Sequence, residues 1–530
     1  MTRAWLDWFL LLWLTLPVWG EPRFVLLPLD NRPCNVLFVR QIARIAQAQV
    51  LSPPDHWLGS WLNPGQCDRF AEWLQAKPQA GDTVLISSDM LCYGGLVASR
   101  NASTSLQVAL ERLKVLEALH QRGLQVQVLA IIPRLYLRTS EGQAPYETAL
   151  ANWAAKADSP DSKWPDRVPG PWVEQYLEVR SRNRQVIGHL IEATARGHID
   201  KLVIGQDDSS ARGLHFADHQ FIEQRLEQTQ LGDKVMLLSG ADELTMDMVT
   251  GRLADLSGLR PKVSLEYCEA GSERRIPPLE SHPLETMVLQ HLQLSGAVVD
   301  PSSSLRIFVQ VPRDQPFELP GADKRPQSYQ FVERVREWMV RGGRAAVADL
   351  AFINRMDPFL AEAVVERIPL TDLEGFAAWN TPANAFGTVS AHIVARHLAQ
   401  EQAPKWPIAL VLESQRSHLA FILARLIDDY GYQTIVRAEV YPEARGLPPR
   451  LDPLNSPMIG LGRRVRIRLI AWAQDLYRRR FQDRPVHLPG GRGPARLGEA
   501  RLEVVLPWPR LFEVQVRLDL ELLSIGKFKS

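Results

Sequence analysis

Short continuous apolar runs recur along the first part of the chain, and each closes on a polar or glycine-bearing cluster. The runs are Phe24–Asp30, Thr83–Asp89, Val126–Arg134, Lys201–Asp208, Lys234–Gly240, Leu305–Val311 and Ala345–Leu350, with a weaker one ending at Trp379 and Asn380. Runs of this length without a polar alternation predict strands buried on both faces. Between most of them the spacing changes to three and four, which predicts helices over Leu106–Gln121, Trp172–Arg196, His215–Gln228 and Ser328–Arg341. Strands alternating with helices make this an α/β protein with parallel strands.

Eight such strands would close a (β/α)8-barrel-like main domain, which is the preferred expectation. Val263–Tyr267 and a short segment beginning at Leu51 are further strand candidates, so two doubly wound α/β domains are the alternative. Past about Gln400 the pattern turns helical, most clearly at Ala420–Tyr430. A Gly/Pro/Arg-rich stretch follows at Leu488–Arg496, then alternating segments around Val504–Leu506 and Phe512–Leu520 that predict a terminal hairpin. The expected division is a leader over 1–20, a catalytic domain over 21–400, and a smaller α+β region over 401–530. Thr139–Pro171, rich in Pro, Asp, Ser and Trp, reads as a long excursion above the pocket and a candidate lid.

The polar clusters follow the strands, where α/β proteins gather ligand-binding groups. Gly205-Gln-Asp-Asp-Ser-Ser210 is the sharpest. Asp207 and Asp208 can face one cavity, while Ser209 and Ser210 are placed to cap the next helix. Two crowded carboxyls in a partly dry site diverge in pKa, leaving a proton donor beside an anion, and glycosidic bond cleavage uses that division. The competing reading is that the pair caps a helix or makes an Asx turn. Asp30 and Arg32 follow the first strand, and Asp89 and Tyr93 the second, with Gly94 and Gly95 permitting close backbone approach. Carboxylates for vicinal hydroxyls and a ring for a sugar face suit carbohydrate recognition; a structural Asp30–Arg32 pair competes. Arg134 and Arg182 can hold an anionic group or brace carboxylates. Asp242, Glu243 and Asp349 end later strands, and Trp379, Asn380 and Asn384 offer an aromatic wall and two amides able to donate and accept together. Glu243 competes as a helix-opening charge, and Trp379 as plain core.

Composition narrows the partners. In 530 residues, 61 Lys and Arg face 60 Asp and Glu, so no global field draws a polyanion, and a small molecule or glycan is expected rather than nucleic acid. A local basic run at Arg463–Arg468 and Arg478–Arg480 reads as a solvated helix face. Arg3, the apolar stretch Trp8–Val18, and Val18 and Gly20 before Glu21 predict a secretory signal rather than an anchor. The rest has no second spanning segment, so an exported, periplasmic or extracellular protein without a stable membrane span is expected, with a cytoplasmic one as the alternative. Cys34, Cys67, Cys92 and Cys268 have no metal spacing and are expected as buried free thiols, with a Cys34–Cys92 bridge as the minor alternative. The chain has no HExxH, Walker loop, G-x-G-x-x-G or G-x-S-x-G, so no cofactor is called for. The alternatives to a glycosidase are a metal-dependent hydrolase, with Mg²⁺ or Mn²⁺ held by Asp30, Asp89, Asp207 and Asp242, and a noncatalytic sugar-binding envelope protein.

LPLDNRP, SSDMLCYGGLVASR, GQDDSS, GADE, DLAFINRMDP, AWNTPANAFGT, RLIDDYGYQTIVR and LPWPRLFE, in that order, resemble a bacterial domain-of-unknown-function family, number 4127, over nearly the whole mature chain. More loosely, the Asp pair and the later Trp-Asn motif resemble substrate-assisted β-N-acetylglucosaminidases of the O-GlcNAcase type, which are barrel enzymes. That likeness implies an acid/base carboxyl and an acetamido-orienting carboxyl shared between Asp208 and Asp207, with Asn380 or Asn384 holding the sugar beside Trp379. PLDNRPCN stands where those enzymes have a glycine-rich opening.

Overall fold

The computed structural model describes residues 21–524 except 138, 140, 314, 319, 322–323 and 445–455, so the expected signal segment lies outside the described residues. A first parallel sheet contains β1 (Arg23–Leu27), β2 (Gln49–Leu51), β3 (Thr83–Ser87), β4 (Gln125–Ile132), β5 (Lys201–Gln206) and β6 (Val235–Ser239) in the order β2-β1-β3-β4-β5-β6. A second holds β7 (Lys262–Tyr267), β8 (Val298–Val299), β9 (Leu305–Gln310), β10 (Arg344–Asp349) and β11 (Gly375–Ala377) in the order β8-β7-β9-β10-β11. Each follows the same doubly wound progression, in which the second strand lies outside the first and the third returns to its other side.

The closed barrel is therefore corrected to two open parallel sheets. Closure needs the last strand to pair with the first, whereas β6 pairs with β5 and β7 with β8 and β9. The additional strand candidates supply the difference: Val263–Tyr267 lies within β7 and Leu51 ends β2.

Successive strand residues face opposite sides, as the pleat requires. Phe24, Leu26, Leu85, Leu129 and Val203 enter one core, while Val25, Leu27, Val84, Val128 and Leu202 enter another. The first of these cores also takes Val263, Ile307, Val309 and Ala346 from the second sheet. Helices Leu37–Ile45, Leu244–Ser257, Leu284–Ser295 and Pro382–Gln402 contribute to it. The two sheets thus share a middle helical layer, and the layers run helix, sheet, helix, sheet, helix. Packing in that layer is tight: a Cβ on Gly251 would meet Leu294 O at 2.1 Å, and one on Gly387 would meet Glu243 Cγ at 2.4 Å.

The chain starts its helices with local chemistry. Thr381 caps Pro382–Gln402 by accepting from Asn384 N, and Asp357 caps Pro358–Arg367 by accepting from Phe359 N and Leu360 N, each with proline at the first position. The helix expected over Leu106–Gln121 divides at Lys114 into Leu106–Leu113 and Val115–Gln121. The expected terminal hairpin is present as β13 (Pro494–Val505) and β14 (Gln515–Ser524), antiparallel, with β12 (Pro485–His487) alongside. All four cysteines are free thiols. Cys34 and Cys92 belong to the cores on opposite faces of the first sheet, which separates the pair that a bridge would need. Among the described residues no helix is long and apolar enough to cross a membrane.

Candidate functional site

A cavity of about 310 Å³ opens where the carboxyl ends of both sheets meet. Arg32 enters from the end of β1, Arg100 from beyond β3, Arg134 from β4, Gln206, Asp207 and Asp208 from β5, and Asp242 from β6. The second sheet brings Asn354, Asn380 and Asn384, and the β13–β14 loop brings Trp508, Arg510 and Phe512. The cavity has the size of a small-molecule site but is walled mainly by polar groups.

At the tip of β5, Asp207 N donates to Ile132 O at 3.1 Å and Asp208 N donates to Asp207 Oδ1 at 2.9 Å. Arg100 pairs with Asp207 at 2.5 Å, Arg134 Nε lies 3.4 Å from the same carboxylate, and Arg134 also pairs with Asp208. Burial pushes Asp207 up, but Arg100 and Arg134 outweigh it and hold the carboxyl at about 2. Asp208, whose side chain is 27 % exposed, moves the other way: burial and the Asp207 charge raise it against the pull of Arg134. Adjacent carboxyls of unequal acidity therefore share one cavity. Ser209 and Ser210 do not cap the next helix, which starts only at His215 with Leu214 before it; Ser209 N instead donates to Leu279 O at 3.0 Å.

Arg32 ties the sheet ends together. Its Nε donates to Asp30 at 2.8 Å, and its two terminal nitrogens donate to Asp242 at 2.8 and 2.5 Å. Asn380 Nδ2 donates to Asp242 at 3.3 Å and to Asn384 Oδ1 at 2.6 Å. Asn354 and Asn380 both have left-handed backbones, φ 60° and 77°, a conformation asparagine tolerates better than most residues. Asn354 N donates to Asn380 O at 3.0 Å, joining the two turns.

Several lining residues have no counterpart in the sequence reading. Arg100 lies well past its strand and carries only the family likeness of SSDMLCYGGLVASR. Glu280 sits in the loop between β7 and the helix Leu284–Ser295, where no strand end points to it. Trp508, Arg510 and Phe512 carry only the family likeness of LPWPRLFE. Trp508 Nε1 donates to Asn31 Oδ1 at 2.6 Å. The Arg510 guanidinium stacks 4.4 Å from the Trp508 ring and 4.9 Å from Phe512, and Glu513 fixes it through two hydrogen bonds of 2.9 and 2.7 Å. This loop, rather than the described residues of the excursion at 139–171, supplies a wall of the cavity. None of the described residues of that excursion lines it, and Leu150, Trp153 and Val168 pack instead in a small core with Leu135 and Tyr176.

Of the residues expected at the site, Arg32, Arg134, Asp207, Asp208, Asp242, Asn380 and Asn384 line the cavity. The others sit behind it. Asp30 holds Arg32. Asp89 is buried, accepts from Ile131 N at 3.1 Å, and is raised by that burial to about 6. Tyr93 lies under the Arg182 guanidinium at 4.4 Å, and Arg182 braces the carbonyls of Ser99, Asn101 and Thr104. Gly94 and Gly95 let chain approach chain: Gly65 N donates to Gly94 O at 2.9 Å. Glu243 lies in the middle helical layer, 3.7 Å from His291 Nε2, and His291 Nδ1 is 2.7 Å from Asp247; burial raises Glu243 to about 8. Asp349 accepts from Ala351 N at 3.0 Å and Asp357 N at 2.7 Å. Trp379 backs Phe512 at 5.5 Å between ring centres.

The four carboxylates considered for a divalent ion do not converge. Asp30 and Asp242 share Arg32, Asp207 faces Arg100 and Arg134, and Asp89 is turned to a backbone amide. Among the described residues no three His, Cys, Asp or Glu side chains are grouped to hold a metal ion.

Fold and site together define an open α/β protein with a polar, arginine- and carboxylate-lined cavity at the carboxyl ends of two parallel sheets. A family model described as "Protein of unknown function (DUF4127)" matches residues 24–517, and the chain belongs to that family. A comparison with curated proteins finds no match.

Proposed function

We propose that the protein is a hydrolase acting on a glycoside, with an N-acetylated amino sugar as the first candidate, and that Asp207 and Asp208 are central to its chemistry. The observation that carries this is the unequal pair: Asp207 held ionised at about 2 by two arginines while its neighbour Asp208 is raised. Acid–base cleavage needs one carboxyl that stays charged and another that exchanges protons near working pH. Asp207 is the fixed anion that orients polar substituents. Asp208, the more exposed, exchanges protons with the reacting water or glycosidic oxygen. Asn380 and Asn384 are amides able to meet hydroxyl or acetamido groups, and Trp508 and Phe512 are rings for a sugar face.

The O-GlcNAcase likeness supports the choice of sugar through its Asp pair and Trp-Asn motif, without a barrel behind it. Turnover of a panel of aryl glycosides, N-acetylglucosaminides included, by wild type and by Asp208→Asn tests the proposal. Cleavage by wild type and its loss in the variant are expected; undiminished cleavage by Asp208→Asn would remove the assignment. Export is part of the same proposal, tested by sequencing the mature amino terminus, which is expected to begin at Glu21.

A further inference from the structure

We infer that Glu280 is a second catalytic carboxyl of this cavity, the one that delivers a proton to the departing oxygen; the inference rests on the glycoside-cleaving reading above. Glu280 lines the cavity with Asp207 and Asp208, although it comes from a different part of the chain, the loop that follows β7. Its position is built rather than incidental. The preceding residue, Leu279, has a left-handed backbone with φ 65°, an uncommon conformation for a leucine that persists only where its surroundings enforce it. Leu279 O accepts from Ser209 N at 3.0 Å, which fastens the Glu280 loop to the Asp207–Asp208 turn. Glu280 Oε1 accepts from Ala383 N at 3.1 Å, at the start of the helix that also carries Asn384.

No arginine or lysine pairs with Glu280 among the described ion pairs, in contrast to Asp207, Asp208 and Asp242. Its side chain is only slightly exposed. Burial raises it to about 8, and the Asp208 charge adds to the rise against hydrogen bonds from Ala383, Ser239 and Thr381. Glu280 thus enters the reaction protonated, beside a carboxyl that can act as base, and this is the partition that glycoside hydrolysis uses.

The step balances without a co-reactant other than water. The glycosidic C1–O bond breaks with its electron pair going to the leaving oxygen, which takes the proton of Glu280. Water adds its oxygen to C1 and gives one proton to Asp208. Proton return from Asp208 to Glu280 through solvent restores both groups, with one water consumed. This narrows Asp208 to the base step.

The test uses the full chain and Glu280→Gln, which keeps an acceptor for Ala383 N. Wild type and variant are compared on glycosides with a good leaving group, dinitrophenol, and a poor one, phenol or an alkyl alcohol. Loss of roughly 10²-fold or more on the poor leaving group, with the dinitrophenyl glycoside cleaved at close to the wild-type rate, is expected. Equal loss on both, or loss on neither, overturns the inference. An infrared difference spectrum of wild type minus Glu280→Gln at pH 7 separates this from the broader reading, because it reports the protonated carboxyl without turnover. Absence of that carbonyl band overturns the inference whatever the activity. Its presence in a protein that cleaves no glycoside ends the glycosidase reading and takes the catalytic role with it. Equal melting temperatures show that the variant is folded.

Discussion

The carboxylates at the end of β5 and the one at the end of β10 both stand at the carboxyl ends of parallel strands, yet their oxygens are filled differently. Asp207 and Asp208 meet side chains, Arg100 and Arg134, whose outer faces belong to the cavity. Asp349 meets backbone, taking the amides of Ala351 and Asp357, while Asp357, which caps the helix beyond it, takes the amides of Phe359 and Leu360 on one oxygen and pairs with Arg313 at 2.8 Å on the other. Asp207 and Asp208 are held by partners a ligand can compete for, Asp349 by the fold itself. At these two strand ends the carboxylates that reach the cavity are those paired with arginine side chains lining it, and the one turned to backbone amides does not.

The comparison breaks most sharply on turnover. Asp208→Asn is expected to lower kcat by roughly 10²–10⁴-fold with little change in melting temperature, whereas Asp349→Asn should act on stability; steady-state rates and thermal melts on both variants separate the two. Next in size, Arg32→Ala strands Asp30 and Asp242 in a buried place and is expected to cost about 3–5 kcal/mol in urea unfolding. A cost under about 1 kcal/mol would show that Arg32 does not knit the strand ends. Asp349→Ala leaves two buried amides without acceptors and is expected to cost about 1–3 kcal/mol for each, again read from urea midpoints.

The pH dependence sharpens the same contrast. Asp207, held at about 2 against an ordinary 3.8, contributes stability that is complete above the ordinary value and lost as pH falls through 2. A tenfold change in proton affinity is worth about 1.4 kcal/mol, so the net preference for the ionised carboxylate, after burial has opposed the arginines, amounts to about 2 kcal/mol. Glu243 runs the opposite way. It keeps its proton in the folded chain up to about 8, while the unfolded chain releases it near 4.5, so stability declines as pH rises across that window and levels above it. Urea midpoints from pH 2 to 9 are expected to show a shallower acid limb in Asp207→Asn and a shallower neutral decline in Glu243→Gln. The smallest effect is expected of Trp508→Phe, which loses the hydrogen bond to Asn31 and about 1 kcal/mol, with a rise in KM larger than any change in kcat if the loop covers substrate.

Much of the site was legible because its chemistry is local. GQDDSS, Arg32, Arg134, Asp242 and the Trp379–Asn384 segment announce themselves at strand ends, and each brings side chains to the cavity, although Trp379 itself does not reach it. Asp89, Tyr93 and Asp349 carry the same signal and fail it, because burial and backbone partners are not written in residue type. Glu280 and Arg510 left no trace of this kind. The first comes from a loop whose neighbour in the chain belongs to the other sheet, and the second from a hairpin near the opposite end of the protein.

Hydrophobic spacing determined the α/β class, the parallel strands and most helices, since short continuous apolar runs and a spacing of three to four are both set by backbone geometry within a few residues. Whether those strands form a ring or two open sheets was decided only in three dimensions. The chain leaves the first sheet after β6, places the helix Leu244–Ser257 in the shared middle layer, and starts a new sheet at β7. Strand partners lie far apart along the chain and helix faces choose between alternative surfaces. The order of pairing, and with it which polar tips meet around one cavity, is therefore a property of the packed whole.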